Sequence, residues 1–351
     1  MSQISLTASM RSNLLSLQGT ANLMSQTQER LASGKKVNSA IDNPSAYYTA
    51  QSLNNRASDL SGLLDSMGQA ISTIKAADEG IEAITSFVEQ AKAVATSALD
   101  TTDADSRGKY VEQFNKILTE IDNLAKDSGY KGINLLKGDH LTVTFNEGRD
   151  NSLDISGVDA TTGAQGLNIG KAVWGTEVTI PETPTEVSNG QTSAVINKNT
   201  VFKVGTDFYK WTGDNITKGD DNENVGAEHK ATVDMSQAVK LGKVTDGATT
   251  KYYDFSAAAT NINTSIDAAN AAITKLRGYS SDFGNSYSIV QTREEFTTNL
   301  INVLEEGADK LTLADMNEES ANMLALQTRQ QLAINSLSLA SQAAQSVLRL
   351  F

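Results

Sequence analysis

The chain has 351 residues and no cysteine, which rules out disulfides, thiol nucleophiles and His/Cys zinc clusters. The formal net charge is −13 and unevenly spread. Residues 1–60 and 321–351 each sum to +2, which leaves −17 on residues 61–320. An acidic middle lacks the basic footprint that nucleic acid needs. The two ends, poor in acid, read as surfaces meant to be covered. The length suits two or three domains.

The opening "MSQISLTASMRSNLLSLQ" has no basic region followed by an apolar one, so it is not expected to be a cleavable secretory signal. Met10, Leu14, Leu17, Ala21, Met24, Gln28 and Leu31 step by four and three, a heptad seam with one polar member. Gly34, beside two lysines, is the expected helix C-cap. Asn43-Pro44 marks a turn and the entry to a second helix. From there Leu53, Ala57, Leu60, Leu64, Met67, Ile71 and Ile74 repeat the spacing, and Ile81, Ile84, Val88 and Ala91 extend it. One helix over residues 46–99 is predicted, roughly 80 Å long at 1.5 Å per residue. That length belongs to a coiled coil or fibre.

"DTTDADSRG" breaks this helix, and Tyr110, Phe114, Ile117, Ile121 and Leu124 predict a shorter one. "HLTVTF", a turn at "NEGRDN" and "SLDIS" predict a β-hairpin. Residues 172–255 hold two of the three prolines and both tryptophans, with strand-like segments between Gly, Asn and Asp turns. This is a small β-rich insertion. Helix returns with Ile262, Ile266, Ala269, Ile273, Leu276, Ser280, Phe283, Tyr287 and Val290. Last comes a second thin seam: Met323, Leu326, Gln330, Ala333, Leu337, Ala340, Ala344, Val347 and Phe351. The fold class is therefore mainly α. Long helices from the N- and C-terminal regions form an antiparallel coiled-coil or bundle core, which carries a β-hairpin and an inserted β-rich domain. No run of 18 apolar residues predicts a membrane span. The two terminal seams are expected to pair with each other or with copies of themselves.

Chemistry is sparse. The only histidines, His140 and His229, stand alone. "SGKK" (Ser33 to Lys36) lacks the companion motifs of a Ser-Lys enzyme, and "GLNIGKA" lacks the phosphate-loop spacing. "DDNENVG" (Asp220 to Gly226) alternates oxygen ligands, but its glycine falls one place late and no glutamate closes a calcium loop. Asn215 and Asn263 head N-x-Ser/Thr sequons. No catalytic residue, metal site or cofactor is expected.

"QERLASGKKVNSAIDNPSAYYTAQSL" resembles the N-terminal signature of bacterial flagellin, the subunit of the flagellar filament. "DMNEESANMLALQTRQQLAINSLSLASQAAQSVLRLF" is similar to its C-terminal signature, in the form of alphaproteobacterial members, and "GYKGINLL" matches the lead into the family's hairpin. The resemblance covers about 1–170 and 256–351. It implies an inner coiled coil of residues 1–45 and 313–351 around the filament channel. A helical shell with the hairpin would span 46–172 and 256–312, and an exposed domain 173–255. It also implies unfolded export through the flagellar type III apparatus, followed by assembly into an extracellular filament for swimming. The implied partners are other copies of the chain, an export chaperone on the C-terminal segment, the filament cap and hook-filament junction proteins. The alternative is that the chain is itself a hook-filament junction protein. Some flagellins carry inserted protease domains, typically with H-E-x-x-H; this insertion of about 84 residues has no such motif, so no enzyme is expected.

Many flagellins carry L-Q-R-V-R-E-L, which an animal Toll-like receptor recognises. Counting back from "YKG" at family spacing places Phe87 at the first leucine. Glu89 and Ala91 then stand where that motif has arginines, and Lys92 where it has glutamate. Poor receptor recognition is expected.

Overall fold

The computed structural model describes residues 8–188, 191–192, 196–213 and 231–348. Five α-helices carry the fold: α1 (Ala8–Ser33), α2 (Pro44–Asp100), α3 (Ala104–Asp127), α4 (Ala258–Thr312) and α5 (Met316–Leu348). Among the described residues, eleven short strands lie between α3 and α4. The mainly helical class with a hairpin and a β-rich insertion is as the sequence predicts. α2 runs 57 residues and α4 runs 55, each about 80–85 Å long. The chain divides into two compact units. The first comprises Met1–Asp65, Phe145–Asn151 and Arg293–Phe351; the second comprises Ser66–Thr144 and Ser152–Thr292.

In the first unit α1 ends where its sequence says. Gly34 takes a positive φ of 72° and donates its N–H to the Arg30 carbonyl at 2.8 Å, the left-handed cap that glycine alone adopts without penalty. α2 opens with Pro44 in its first turn, and the Asn43 side chain accepts from the Ala46 N–H at 3.1 Å. The break between α4 and α5 mirrors the break between α1 and α2. Lys36 donates its N–H to the Thr312 carbonyl at 2.7 Å, and Ala314 donates to the Gly34 carbonyl at 2.9 Å. Asp315 then caps α5, accepting from the Asn317 N–H at 2.9 Å, and Glu318 and Glu319 suit the positive helix end. Beyond the joint, Ala57 and Leu60 of α2 pack with Leu304 of α4, flanked by Leu53, Leu63, Leu300 and Ile301. Phe145 lies under the Arg293 guanidinium at 5.2 Å, and Glu147 pairs with Arg56.

The second unit holds the larger core. On α2, Met67, Ile74, Ile81, Ile84 and Val88 are buried at heptad-like spacing; on α4, Ile262, Ala269, Ile273, Leu276, Phe283 and Val290 are. The Asp78–Ser280 hydrogen bond at 2.8 Å and Lys75 over the Tyr287 ring fix the two helices as antiparallel here. α3 buries Ala104, Gly108, Val111, Phe114, Leu118, Ile121 and Ala125. That stripe shares Phe114 and Ile121 with the predicted one, but Tyr110, Ile117 and Leu124 are only half-buried at its margin. Small residues explain much of the offset, because close backbone approach by β10 places Ala104 and Gly108 inside.

After α3, the buried Asn134 side chain donates to the Ala125 and Lys126 carbonyls (2.8 and 2.9 Å) and accepts from the Leu136 N–H. It satisfies the open end of the helix and turns the chain into β1 (His140–Thr144). β1 pairs antiparallel with β2 (Ser152–Ser156), His140 opposite Ser156 and Thr144 opposite Ser152, the predicted hairpin. The chain then returns along α3. Phe114 and Trp174 meet edge to face at 5.4 Å, and the Trp174 indole donates to Ser265 on α4 at 3.0 Å.

The insertion folds as small sheets. β3 (Thr176–Val178), β10 (Gly242–Asp246) and β11 (Thr249–Asp254) form one, in the order β10-β11-β3. β4 (Thr185–Glu186), β6 (Val201–Val204), β7 (Asp207–Trp211) and β9 (Ala238–Lys240) form a second, over a core of Val187, Ile196, Phe202, Trp211 and Val233. β5 (Gln191–Thr192) pairs with β8 (Ala231–Thr232). Phe208 meets Tyr252 edge to face at 4.9 Å and joins the two larger sheets. β10 lies directly on α3. A side chain at Gly108 would run into the Lys243 carbonyl, and one at Gly242 into the Ala104 carbonyl. Lys240 bridges Asp105 of α3 and Asp207, hydrogen bonds that hold its ammonium above the ordinary lysine value.

Asp254 is buried at the end of β11. Burial alone would raise its carboxyl, but the Ser256 N–H and hydroxyl and the Lys210 ammonium, 3.0 Å away, outweigh it and hold it below the usual carboxylate range. Because the folded value is depressed, its stabilisation is present above the unfolded aspartate pKa and is lost as pH falls through the folded one. Asp254→Asn is expected to destabilise the insertion by about 2 kcal/mol at neutral pH and to flatten its acid transition. Fluorescence of Trp211 in a Trp174→Phe background, followed through an acid titration, checks both.

Candidate assembly surface

α1 and α5 lie antiparallel. The Arg30 guanidinium meets the Glu319 carboxylate at 2.9 Å, and Lys35 bridges Leu313 beside them. Met323, Leu326, Gln330, Ala333, Leu337 and Ala340 are all half-buried along one face. Ala344 and Val347 occupy the last turns of α5, and Phe351 lies outside the described residues.

The α1 seam divides. Met10, Leu17, Met24 and Leu31 are half-buried against α5, but Leu14, Ala21 and Gln28 face outward. Asn13, Thr20 and Thr27 take their places, with Thr20 and Thr27 only 4% and 6% exposed. The heptad is kept with its phase moved by one residue at alternate positions. Threonine serves here because its hydroxyl is satisfied within the helix: Thr20 donates to the Ser16 carbonyl at 2.9 Å. The more apolar Leu14 is left in water.

That leaves unused apolar surface. α1 exposes Leu14, Leu15 and Leu23; α5 exposes Leu324, Leu332, Ile334 and Leu339. Soluble helices normally put charge on such positions, yet over residues 321–348 the one charged side chain is Arg329. Of the fifteen large apolar residues exposed among the described ones, thirteen belong to the unit that contains both chain ends. The seam between α1 and α5 is thin, and ordering each residue costs about 1–2 kcal/mol of backbone entropy. A second layer of contact on the outward leucines, at about 1.5–3 kcal/mol for each one fully buried, would shift that balance strongly.

The four receptor-motif positions sit on α2. Ala91 is wholly buried, Phe87 and Lys92 are half-buried, and Glu89 is exposed. Glu89 and Lys92 line a shallow groove with Thr96, Asn270, Thr274 and Arg277. His140 starts β1, exposed, and Asn263 lies exposed in the first turns of α4. His229, Asn215 and the acidic loop 220–226 lie outside the described residues. Among the described residues no His, Cys, Asp or Glu cluster is arranged to hold a metal, and no helix is long and apolar enough to cross a membrane. What the sequence reasoning missed is the outward set on α1 and α5. Its signal is the lack of charge opposite each seam.

Comparison with known proteins agrees with this arrangement. The bacterial flagellin N-terminal helical region matches residues 4–140, and the bacterial flagellin C-terminal helical region matches residues 264–351. Flagellin A of Rhizobium meliloti is 27% identical over 387 residues, covering 96% of each chain. Flagellin D of the same species (strain 1021) is 26% identical over 393 residues, with the same coverage. Flagellin FljK of Caulobacter vibrioides is 24% identical over 339 residues, 96% of this chain and 94% of that one. These relatives are named flagellins, which favours the filament subunit over the junction protein. With both matched helical regions, paired terminal helices and a β-rich insertion between them, the chain belongs to the bacterial flagellins, the structural subunits of the extracellular flagellar filament.

Proposed function

We propose that this chain is a filament subunit whose two ends are completed only by other copies of itself. Residues 1–45 and 313–351 form the inner coiled coil, 46–172 and 256–312 the surrounding shell, and 173–255 the outer domain. The seams of α1 and α5 hold the two ends together within one subunit, and the outward leucines meet neighbours. A contact that joins different faces and does not close on itself builds an open helical polymer. The observation that carries this reading is the concentration of exposed large apolar side chains, thirteen of the fifteen among the described residues, in the unit with the chain ends. On the way to the filament the subunit passes through the flagellar export apparatus. A chaperone covers the C-terminal segment, and the cap and junction proteins bound the polymer. The chain has no catalytic role. Seeded polymerisation of purified subunits, viewed by electron microscopy, tests the reading: long helical filaments support it, and persistent monomers at high concentration refute it.

The same reading extends to recognition by the host. With Glu89 and Ala91 at the arginine positions, bidentate guanidinium donors are missing, and Lys92 reverses a neighbouring charge. Purified monomer is expected to stimulate Toll-like-receptor reporter cells at least about thirtyfold less than a flagellin with the full motif, since one lost buried charge contact removes about 2–5 kcal/mol. Equal potency would overturn this expectation.

A further inference from the structure

The loop between α1 and α2 holds the most exposed large apolar side chain among the described residues, Ile41 at 94%. An isoleucine so placed on a floppy loop would carry little meaning. This loop is clamped. Asp42 accepts hydrogen bonds from the Ser39 and Asn38 N–H groups, each at 3.0 Å, and from the Ser39 hydroxyl at 3.2 Å. Those donors, the Ser39 N–H first, hold the Asp42 carboxyl below its ordinary value. Asp42 also closes the turn by donating its own N–H to the Ser39 carbonyl at 3.2 Å. On one side Lys36 and Val37 are tied to the Thr312 carbonyl; on the other, Asn43 caps α2. Ile41 is therefore held in a fixed direction on a short, hydrogen-bonded turn that projects it into water.

We infer that Ile41 is a preorganised knob that inserts into an apolar socket on a neighbouring copy of this chain. The occupant is a second copy for two reasons. The family assembles from copies of one chain, and the loop belongs to the same compact unit, and the same hydrogen-bonded joint, as the α1–α5 pair. The joint also leaves Leu313 and Met316 each 45% exposed, so the apolar surface continues onto the α4–α5 break. Ile41 belongs to neither heptad seam, and its contact is separate from theirs. A rigid knob loses little freedom on docking, so most of the gain from burying it reaches the assembly. The inference rests on the filament reading above and adds a specific contact to it.

The absence of cysteine supplies the test. Ile41→Cys, doped as a minor fraction into wild-type subunits, is labelled with a maleimide before and after seeded polymerisation. Labelling is expected to be rapid in the monomer and to fall about tenfold or more in the filament. Equal rates in both states overturn the inference while leaving the filament reading intact. If wild-type subunits form no filament, the filament reading fails instead. In parallel, Ile41→Ala is expected to raise the critical concentration for polymerisation roughly tenfold to a hundredfold with the monomer's helical content unchanged. Asp42→Ala, which keeps Ile41 but frees its turn, is expected to raise it by a smaller factor. An unchanged critical concentration in Ile41→Ala would also overturn the knob.

Discussion

Deleting residues 331–351 is expected to abolish polymerisation and leave the second unit folded. The cut removes the seam residues Ala333, Leu337 and Ala340 and the outward residues Leu332, Ile334 and Leu339 together. Each large apolar side chain taken out of water contributes about 1.5–3 kcal/mol. Losing several in every subunit raises the critical concentration by many powers of ten, beyond what solubility allows. None of the buried residues of the second unit lies in the deleted segment. Its helical signal and cooperative melting should therefore persist. Sedimentation after seeding, paired with thermal circular dichroism, checks both halves. Ordinary filaments from the truncated chain would count against the account, and so would collapse of the second unit.

The second large effect is expected at Gly108. A glycine inside a helix ordinarily costs about 1 kcal/mol relative to alanine. Here it lets the α3 backbone touch the carbonyl of Lys243 on β10, and Gly242 does the same in return at Ala104. Backbone presses on backbone, so no side chain can swing aside. Gly108→Val is expected to lift β10 from α3 and to strain the Lys240 bridge to Asp105 and the contact of the Thr245 N–H with Glu112. The loss should be about 3 kcal/mol or more, at or above the upper end of overpacking costs. The insertion should then become sensitive to limited proteolysis while α2 and α4 keep their helical signal. Unchanged protease resistance and melting would show that β10 does not depend on this approach.

The same packing shows which parts of the fold were legible in the sequence. On α5 the half-buried face, Met323 to Ala340, follows the heptad spacing even though Leu324, Leu332, Ile334 and Leu339 lie outside it, because the spacing and not apolarity alone marks that face. On α1 apolarity misled at two positions. Leu14 and Ala21 look like better seam residues than Asn13 and Thr20, yet the seam takes the polar pair. A threonine whose hydroxyl bonds back to its own helix is an adequate core residue, and periodicity counts have no term for that. On α3 the misjudged residues were the small ones: Ala104 and Gly108 lie inside because other backbone comes close, a tertiary fact absent from any local window. Helix ends were legible at Gly34 and Asn43, where a specific residue performs the cap, and not at Asp103 or Asp315. The exposure of Ile41 was not legible, because nothing in "NSAIDNP" marks which side of the turn faces water.

Amide hydrogen exchange, compared between dilute monomer and assembled filament, tests the central claim most directly. The account predicts rapid exchange in residues 8–33 and 316–348 of the monomer and protection of the same residues by orders of magnitude in the filament, with the buried helices of the second unit protected in both states. Full protection of both terminal helices in the dilute monomer, unchanged on assembly, would contradict it.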